Sequence, residues 1–377
     1  MGKNYSAALV VTTINTPKLL KGFVDNFKKY DHMKEVLIIV VPDEKTPSEA
    51  YSYCESLSDS GAEIRCPDLE EQEKFLKSVG IKGLIPRNSD NRRNVGFLMA
   101  VEENVDFLMS IDDDNYCLQE YDFYEGHSIV TDEKKKEVEK ISSSNGWFNI
   151  CELLETDRKT YPRGFPYRYR HQSVDIDREY VTGNVSLNEG MWIRDPDVDA
   201  ISWLVNPTKG RNFVGESFVL SKNTWAPVNT QNTSLESKYI PAYYFIPMQS
   251  GSCGTAIDRY GDIFSGYYVQ KIIKENDESI RFGTPVLDHD RNSHNYLKDA
   301  YYEMSGLMVL EDIAPWLRET QLDGNTVEEM YISLSHQIQD AVENFSGPAW
   351  NSDTRGYFHR TSHQMREWIS AIREIKG

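Results

Sequence analysis

The chain has 377 residues, enough for one large domain or two ordinary ones. Its formal net charge of −18 excludes general nucleic-acid binding through phosphate contacts and disfavours attachment to an anionic membrane surface. Cys54, Cys66, Cys117, Cys151 and Cys253 are scattered and show no Cys-x-x-Cys spacing, which speaks for a reducing, cytoplasmic compartment and against a zinc or disulfide framework. No apolar run approaches the ~18–20 residues of a transmembrane helix. Residues 1–4 lead almost at once into an apolar run, so no signal peptide is expected.

Taken in order, residues 7–13 read as a continuous apolar strand. Thr16 and Pro17 then give a helix cap and a proline at the first helical position. The expected helix spans 18–30, with Leu19, Leu20, Phe23, Val24 and Phe27 on one stripe. Residues 36–41 form a second strand ending at Pro42 and Asp43, and 61–66 a weaker third. Asp68 caps a helix over 69–79, and a further helix over 92–105 feeds a strand at 107–111. Strands alternating with helices indicate an α/β fold with a parallel sheet. No Gly-x-Gly-x-x-Gly or Gly-Lys-Ser/Thr loop follows the first strand, which disfavours a dinucleotide enzyme or a P-loop NTPase.

The strand at 107–111 ends in Asp112, Asp113 and Asp114. Three adjacent carboxylates repel one another in an apolar core and need a cation or solvent. At the carboxyl end of a strand in an open α/β sheet they face the crevice where ligands bind. Hard oxygen ligands on this spacing suit Mg²⁺ or Mn²⁺, which completes its shell with substrate phosphates. The competing account is a solvated, inert acidic turn.

Further along, residues 132–140 are a charge run without an apolar stripe and read as an exposed helical segment. Arg163, Arg168 and Arg170 lie among aromatic rings, as a solvated basic loop or as an anion clamp. Trp192 is a core tryptophan or a sugar-stacking platform. Residues 243–248 read as a buried strand, and the glycine-rich 251–256 permits close backbone approach to a ligand. Asp262 opens a helix running through 273, as a dipole partner or as an acid–base group. His289, between Asp288 and Asp290 after a strand, completes a metal shell or is structural. From 301 onward the chain is mainly helical. One stripe runs Val327, Met330, Tyr331, Leu334, Ile338 and Val342, and a last helix covers 362–375. The expected organisation is a catalytic domain over 1–300 with a helical C-terminal extension over 301–377. A homo-oligomer is compatible with this composition.

Several blocks together resemble GT-A-fold glycosyltransferases, and more narrowly the reversibly glycosylated polypeptides, which include UDP-arabinopyranose mutases. They are residues 87–98 (Arg-Asn-Ser-Asp-Asn-Arg-Arg-Asn-Val-Gly-Phe-Leu), 110–114, 163–167 with Arg170, 190–192 followed by 196–200, Arg259 and Tyr260 with Asp262 and Gly266, and His289. The resemblance runs from about residue 36 to about residue 317. It implies a Rossmann-like nucleotide-sugar-binding fold. Asp112 and Asp114 would hold ribose and a divalent metal, with His289 as a further ligand. Thr13, Asp43 and Asp113 would contact the nucleotide, and Arg87, Arg93 and Asn94 its base and pyrophosphate side. Gly190, Trp192 and Asp197 would face the sugar or acceptor. Arg163, with Arg170 and Asp262, would be catalytic, and Arg163 is the position linked in the family to self-glycosylation. Where the family usually has two acidic residues before the late helix, this chain has Gly261 and Asp262.

The first functional expectation is a metal-dependent transferase moving a sugar from a nucleotide sugar, UDP-linked, to a saccharide or small-molecule acceptor, with Asp262 as base. The second is a UDP-sugar pyranose/furanose mutase. The third is a non-catalytic nucleotide-sugar-binding subunit, against which the presence of Asp112, Asp114, Asp262 and His289 together argues.

Overall fold

The computed structural model, which describes residues 5–131, 137–248 and 257–377, begins its core with strand β1 (Ala7–Thr13). There follow α1 (Leu20–Lys29), β2 (Val36–Pro42), α2 (Glu49–Asp59), β3 (Glu63–Arg65), α3 (Leu69–Ser78), α4 (Arg93–Glu102) and β4 (Phe107–Ile111). β1 runs parallel to both β2 and β4, and Val11 lies opposite Val40 on one side and Ile111 on the other. Burial on both faces explains the unbroken apolar runs of these strands. Asp68 caps α3 through a reciprocal bond with Glu71. α1 starts later than expected: residues 16–19 form turns first, and Thr16 does not act as its cap. α2 has only a weak apolar stripe, Ala50, Cys54 and Leu57, and its sequence gives little helical signal.

The second half supplies β5 (Asn115–Cys117), α5 (Phe123–Ser128), β6 (Glu137–Ser143), β7 (Leu154–Thr156), β8 (Ile176–Thr182), β9 (Val185–Arg194), α6 (Ala200–Val205), β10 (Gly210–Phe213), β11 (Phe218–Leu220) and β12 (Asn232–Glu236). Then come α7 (Gly261–Glu275), β13 (Ser279–His289), α8 (Tyr296–Glu319), α9 (Val327–Asn344) and α10 (Ser352–Lys376). The main sheet runs β3-β2-β1-β4-β12-β9-β13-β11-β6-β8. This is a mixed α/β fold around one large sheet, with a helical C-terminal region.

Strand direction places the ends that matter. β12 is antiparallel to β4 and to β9, so β9 runs with β4; β13 is parallel to β9. The carboxyl ends of β1, β2, β4 and β13 therefore share one edge of the sheet. β5 folds back antiparallel onto β13 and sets Asn115 opposite His289.

Three expected elements differ. The charged residues from Glu137 onward are not helical but form β6; residues 132–136 lie outside the described chain. Cross-strand pairs Lys140–Glu179 and Arg178–Glu139 hold β6 against β8. Residues 243–246 are buried and 247–248 half-buried, but the segment is not a strand. Asn94 grips Phe245 through both its backbone N–H and its carbonyl, and this uses the groups a ladder would need. The last helix starts at Ser352, ten residues before the expected start, with Asn351 as its cap. The glycine-rich 251–256, with Cys253, lies outside the described residues.

The C-terminal helices are not an appendage, because they share the sheet's hydrophobic core. Trp368 packs 5.4 Å from the Tyr244 ring and donates Nε1–H to the Ile240 carbonyl, and Tyr357 donates its hydroxyl to Pro247 O at 3.1 Å. Phe358 meets Phe264 of α7 edge to face. No helix among the described residues is long and apolar enough to cross a membrane.

Under the sheet, His127 is fully buried between two asparagines. Asn232 spends its amide on the Met191 and Pro285 carbonyls, so its Oδ1 faces His127 Nε2 at 2.9 Å, and Asn188 Nδ2 lies 3.1 Å from Nδ1. The pair fits a neutral ring protonated at Nε2. Burial lowers the imidazole to about 3. The unfolded chain takes up this proton below about pH 6.5 and the folded chain does not, so stability falls as pH drops from 6.5 towards 3. The slope is up to about 1.4 kcal/mol per pH unit. Urea unfolding at pH 7.5 and pH 5 should show the wild type losing about 2 kcal/mol more than His127→Gln. Equal losses would remove His127 as the cause.

Candidate functional site

The shared sheet edge opens into a cavity of about 420 Å³, lined by Asp112, Asp113 and Asp114 after β4, His289 at the end of β13, and Arg163, Asp197 and Asp262. A second cavity of about 270 Å³ adjoins it, sharing Thr12, Ile14, Asp90 and Asp113 and reaching Thr13 and Asp43. Thr13 donates its hydroxyl to Asp113 Oδ2 at 2.8 Å. Asp43 accepts the Ser89 N–H at 3.0 Å, which ties the end of β2 to the loop before α4.

The three aspartates are in different situations. Asp112 is paired with Arg93, which also donates to Ser110 Oγ and the Ile111 and Thr230 carbonyls. Burial pushes the Asp112 carboxyl up more than Arg93 holds it down, and Asp114 and Asp262 add to the rise. Asp114 Oδ1 lies 3.5 Å from His289 Nε2. Burial raises the Asp114 carboxyl, but His289 outweighs it and holds the group below the usual range. Burial likewise opposes charge on His289, and Asp114 and Asp197 outweigh it and raise the imidazole. Burial at Asp112 and the His289 partner at Asp114 drive this split, and the Asp114 charge adds to the rise at Asp112.

His289 Nδ1 lies 2.6 Å from the Asp195 carbonyl, which can only accept. Nδ1 therefore carries a proton, and a neutral ring aims its Nε2 lone pair at Asp114, the usual orienting bond of a metal-ligating histidine. Among the described residues no three Asp, Glu, His or Cys side chains form a ready metal cage. The expected convergence of Asp112, Asp114 and His289 on one ion is thus not preformed, because Arg93 takes Asp112. The pair Asp114–His289 fits a cation that keeps waters and takes its other ligands from substrate phosphate.

Arg163 lines the same cavity, 7% exposed, inside two forks. Its Nε and Nη2 donate to Asp197 at 3.0 and 3.1 Å, and its Nη1 and Nη2 to Asp262 at 2.9 and 2.6 Å. Burial disfavours its charge, but the two carboxylates outweigh this and hold the guanidinium well above its ordinary value. Gly164, with φ +86°, turns the chain here, and a Cβ on it would come within 2.5 Å of Ile263 on α7. Arg259 adopts φ +57° and turns its carbonyl to Arg163. Its own side chain donates to Glu303 on α8 at 3.1 Å, so the helical region helps position the site. Each oxygen of Asp262 accepts one hydrogen bond from Arg163, so the carboxylate expected to act as base is held in a bidentate ion pair.

Five expected residues are elsewhere. Arg170 is not at the cavity: it pairs with Asp199 at 2.8 Å and lies 3.7 Å over the Tyr167 ring. Arg87 points to the surface, bridging Glu44 and Glu73. Trp192 is 0% exposed and is a core residue, since β9 is central in the sheet. Gly190 serves packing, as a Cβ there would come within 2.3 Å of Asn232 and the Pro285 carbonyl. Asn94, as described, holds Phe245, which lines the cavity.

Two residues not singled out from sequence do line it. Arg291 is flanked by Trp203 and Tyr296 at 5.5 and 5.7 Å, and its Nη1 has no hydrogen-bond partner. It follows His289 by two residues, and that adjacency was its only signal. Asp90, before α4, is solvent-exposed; desolvation and then Asp262 and Asp258 raise its carboxyl, by less than they would shift a buried group. It stands within the 87–98 block.

Residues 6–377 match the profile of the reversibly glycosylated polypeptide family, beyond the 36–317 expected from sequence. The chain is 26% identical over 288 residues to UDP-arabinopyranose mutase 2 of Arabidopsis thaliana, covering 75% of this chain and 72% of that one. It is 25% identical to the probable UDP-arabinopyranose mutase 1 of Zea mays, covering 75% and 71%. Among solved structures, glucosyl-3-phosphoglycerate synthase from Mycobacterium tuberculosis, in complex with Mn²⁺ and UDP-glucose, aligns over 81% of this chain and 79% of that one. Its TM-score is 0.42 at 9% identity, too loose a likeness to carry a ligand or a reaction across. The match over nearly the whole length decides the family: the chain belongs to the reversibly glycosylated polypeptides.

Proposed function

We propose that the chain binds a UDP-sugar across the two adjoining cavities and rearranges the sugar ring in place, as a pyranose/furanose mutase. The observation that carries this reading is the convergence on one cavity of Asp114 and His289 with the Arg163–Asp197–Asp262 cluster. Relatives named as UDP-arabinopyranose mutases support it. The ribose and base side falls to Thr13, Asp43 and Asp113, and the diphosphate side to Arg291, whose free Nη1 suits a phosphate oxygen. A divalent cation, Mn²⁺ or Mg²⁺, held by Asp114 and His289, would supply electrostatic stabilisation to a leaving diphosphate. Arg163 holds Asp197 and Asp262 at fixed positions beside the sugar. Asp90, an exposed carboxyl on the wall that the two cavities share, is placed to hold and return a proton, which a ring opening and closure requires. Inverting transfer to a separate acceptor calls for a base near that acceptor, and Asp262 is engaged in an ion pair with Arg163.

The test is incubation of the purified protein with Mn²⁺ and a panel of UDP-sugars without acceptor, with products resolved as intact nucleotide sugars. A mutase returns a UDP-sugar of changed ring size. Turnover that appears only when a saccharide is added would replace this reading with transfer. Binding without any turnover would leave a non-catalytic subunit.

A further inference from the structure

A separate cavity of about 220 Å³ opens between the C-terminal end of α7 and the end of α8. Lys222, Lys271, Lys274 and Arg318 line it, against Glu275 and Glu319. Two of these cations are accounted for: Lys222 pairs with Asp277, and Lys271 with Glu275. The other two are not. Lys274 is 3% exposed and donates only to the carbonyls of Ser221 and Thr224, at 2.7 and 2.9 Å. Arg318 donates to the Asn145 carbonyl at 3.3 Å and lies 5.5 Å over the Trp147 ring. Among the described residues neither has a carboxylate within ion-pair distance. Gly146 leaves room for this guanidinium, as a Cβ there would come within 2.1 Å of it.

A buried cation without a counter-charge is costly, and a second cation facing the same space makes it more so. Burial, then Arg318 and Lys222, lower the Lys274 ammonium to about 7. An anion in the cavity would relieve both. A planar guanidinium beside a point-charge ammonium matches a tetrahedral oxyanion. The chain's net charge of −18 gives no general attraction for anions, so any affinity must be local. α7 runs from Asp262 at the main cavity to Lys274 here, about 18 Å along a helix rising about 1.5 Å per residue. The two sites are distinct.

We propose that this cavity binds a small phosphate-bearing anion through Lys274 and Arg318. Titration calorimetry of inorganic phosphate into the full chain, with ionic strength held constant by chloride, tests it. Saturable binding is expected in the wild type and also in Asp114→Asn, because the main cavity is not involved. Lys274→Gln and Arg318→Gln should weaken it at least tenfold while UDP binding is unchanged. Arg318→Lys keeps the charge and loses the fork, and serves if either of the others fails to fold; it too should weaken phosphate binding. A hexose phosphate run in parallel separates the sources. Tighter binding than phosphate marks an ester as the ligand, and weaker binding marks free phosphate; both support the site. No saturable heat in the wild type, or phosphate affinity indifferent to all three variants, overturns the proposal.

Discussion

Replacing Asp114 with Asn should abolish turnover and leave the fold intact. Asp114 sits beyond the end of β4, so its loss removes no core packing. Its Oδ1 faces His289 Nε2 at 3.5 Å, in the position where a cation would be shared with a diphosphate. Charge stabilisation by such an ion is worth several kcal/mol, or about 10³-fold or more in rate. Asparagine keeps the shape and one oxygen but not the charge. The direct readout is UDP affinity measured with and without Mn²⁺. The wild type should bind more tightly with the metal, and the variant should show no such gain. A variant that keeps the Mn²⁺-dependent increment would put the cation elsewhere.

The second large effect is expected at Arg163. Arg163→Ala leaves Asp197 and Asp262 buried beside each other with no counter-charge, and removing one partner of a buried pair costs about 3–5 kcal/mol. Denaturant unfolding should show that loss. Arg163→Lys is the sharper test, because it keeps the charge. One ammonium cannot satisfy four carboxylate oxygens from two directions, so Asp197 and Asp262 shift relative to the sugar. A displacement of about 1 Å costs on the order of 10²-fold in rate. The expected pattern is near-normal UDP binding with turnover down by about that factor. Wild-type kinetics in Arg163→Lys would reduce the residue to a structural role.

The parts of this molecule legible in its sequence are those governed by short-range periodicity. The apolar runs of β1, β2 and β4, the capping box at Asp68 and the Asp112–Asp114 strand end could all be read from residues near in sequence. Alternation of strands and helices then put Thr13, Asp43 and Asp112 on one sheet edge. What could not be read depends on partners far apart in the chain. Arg163 meets Asp262 99 positions later, while Arg170, in the same loop, finds Asp199. Nothing local separates those two arginines. Residues 243–248 have the composition of a strand, but Asn94 takes the backbone groups of Phe245. Trp192 reads as core or as sugar platform, because a tryptophan's neighbours in sequence do not reveal whether its strand is central. Arg291 and Asp90 were passed over because a single polar residue after a strand, or before a helix, is ordinary. Only the cavity distinguishes them.

The chain's final 25-residue helix, α10, has a bearing on inheritance. It holds the 240–248 segment from behind through Trp368 and Tyr357, and that segment contributes Phe245 and Met248 to the cavity wall. A nonsense codon ahead of α10 would spare every side chain that lines the main cavity and still unsupport one of its walls. Loss-of-function alleles would therefore include changes in a stretch that no position lining the main cavity occupies.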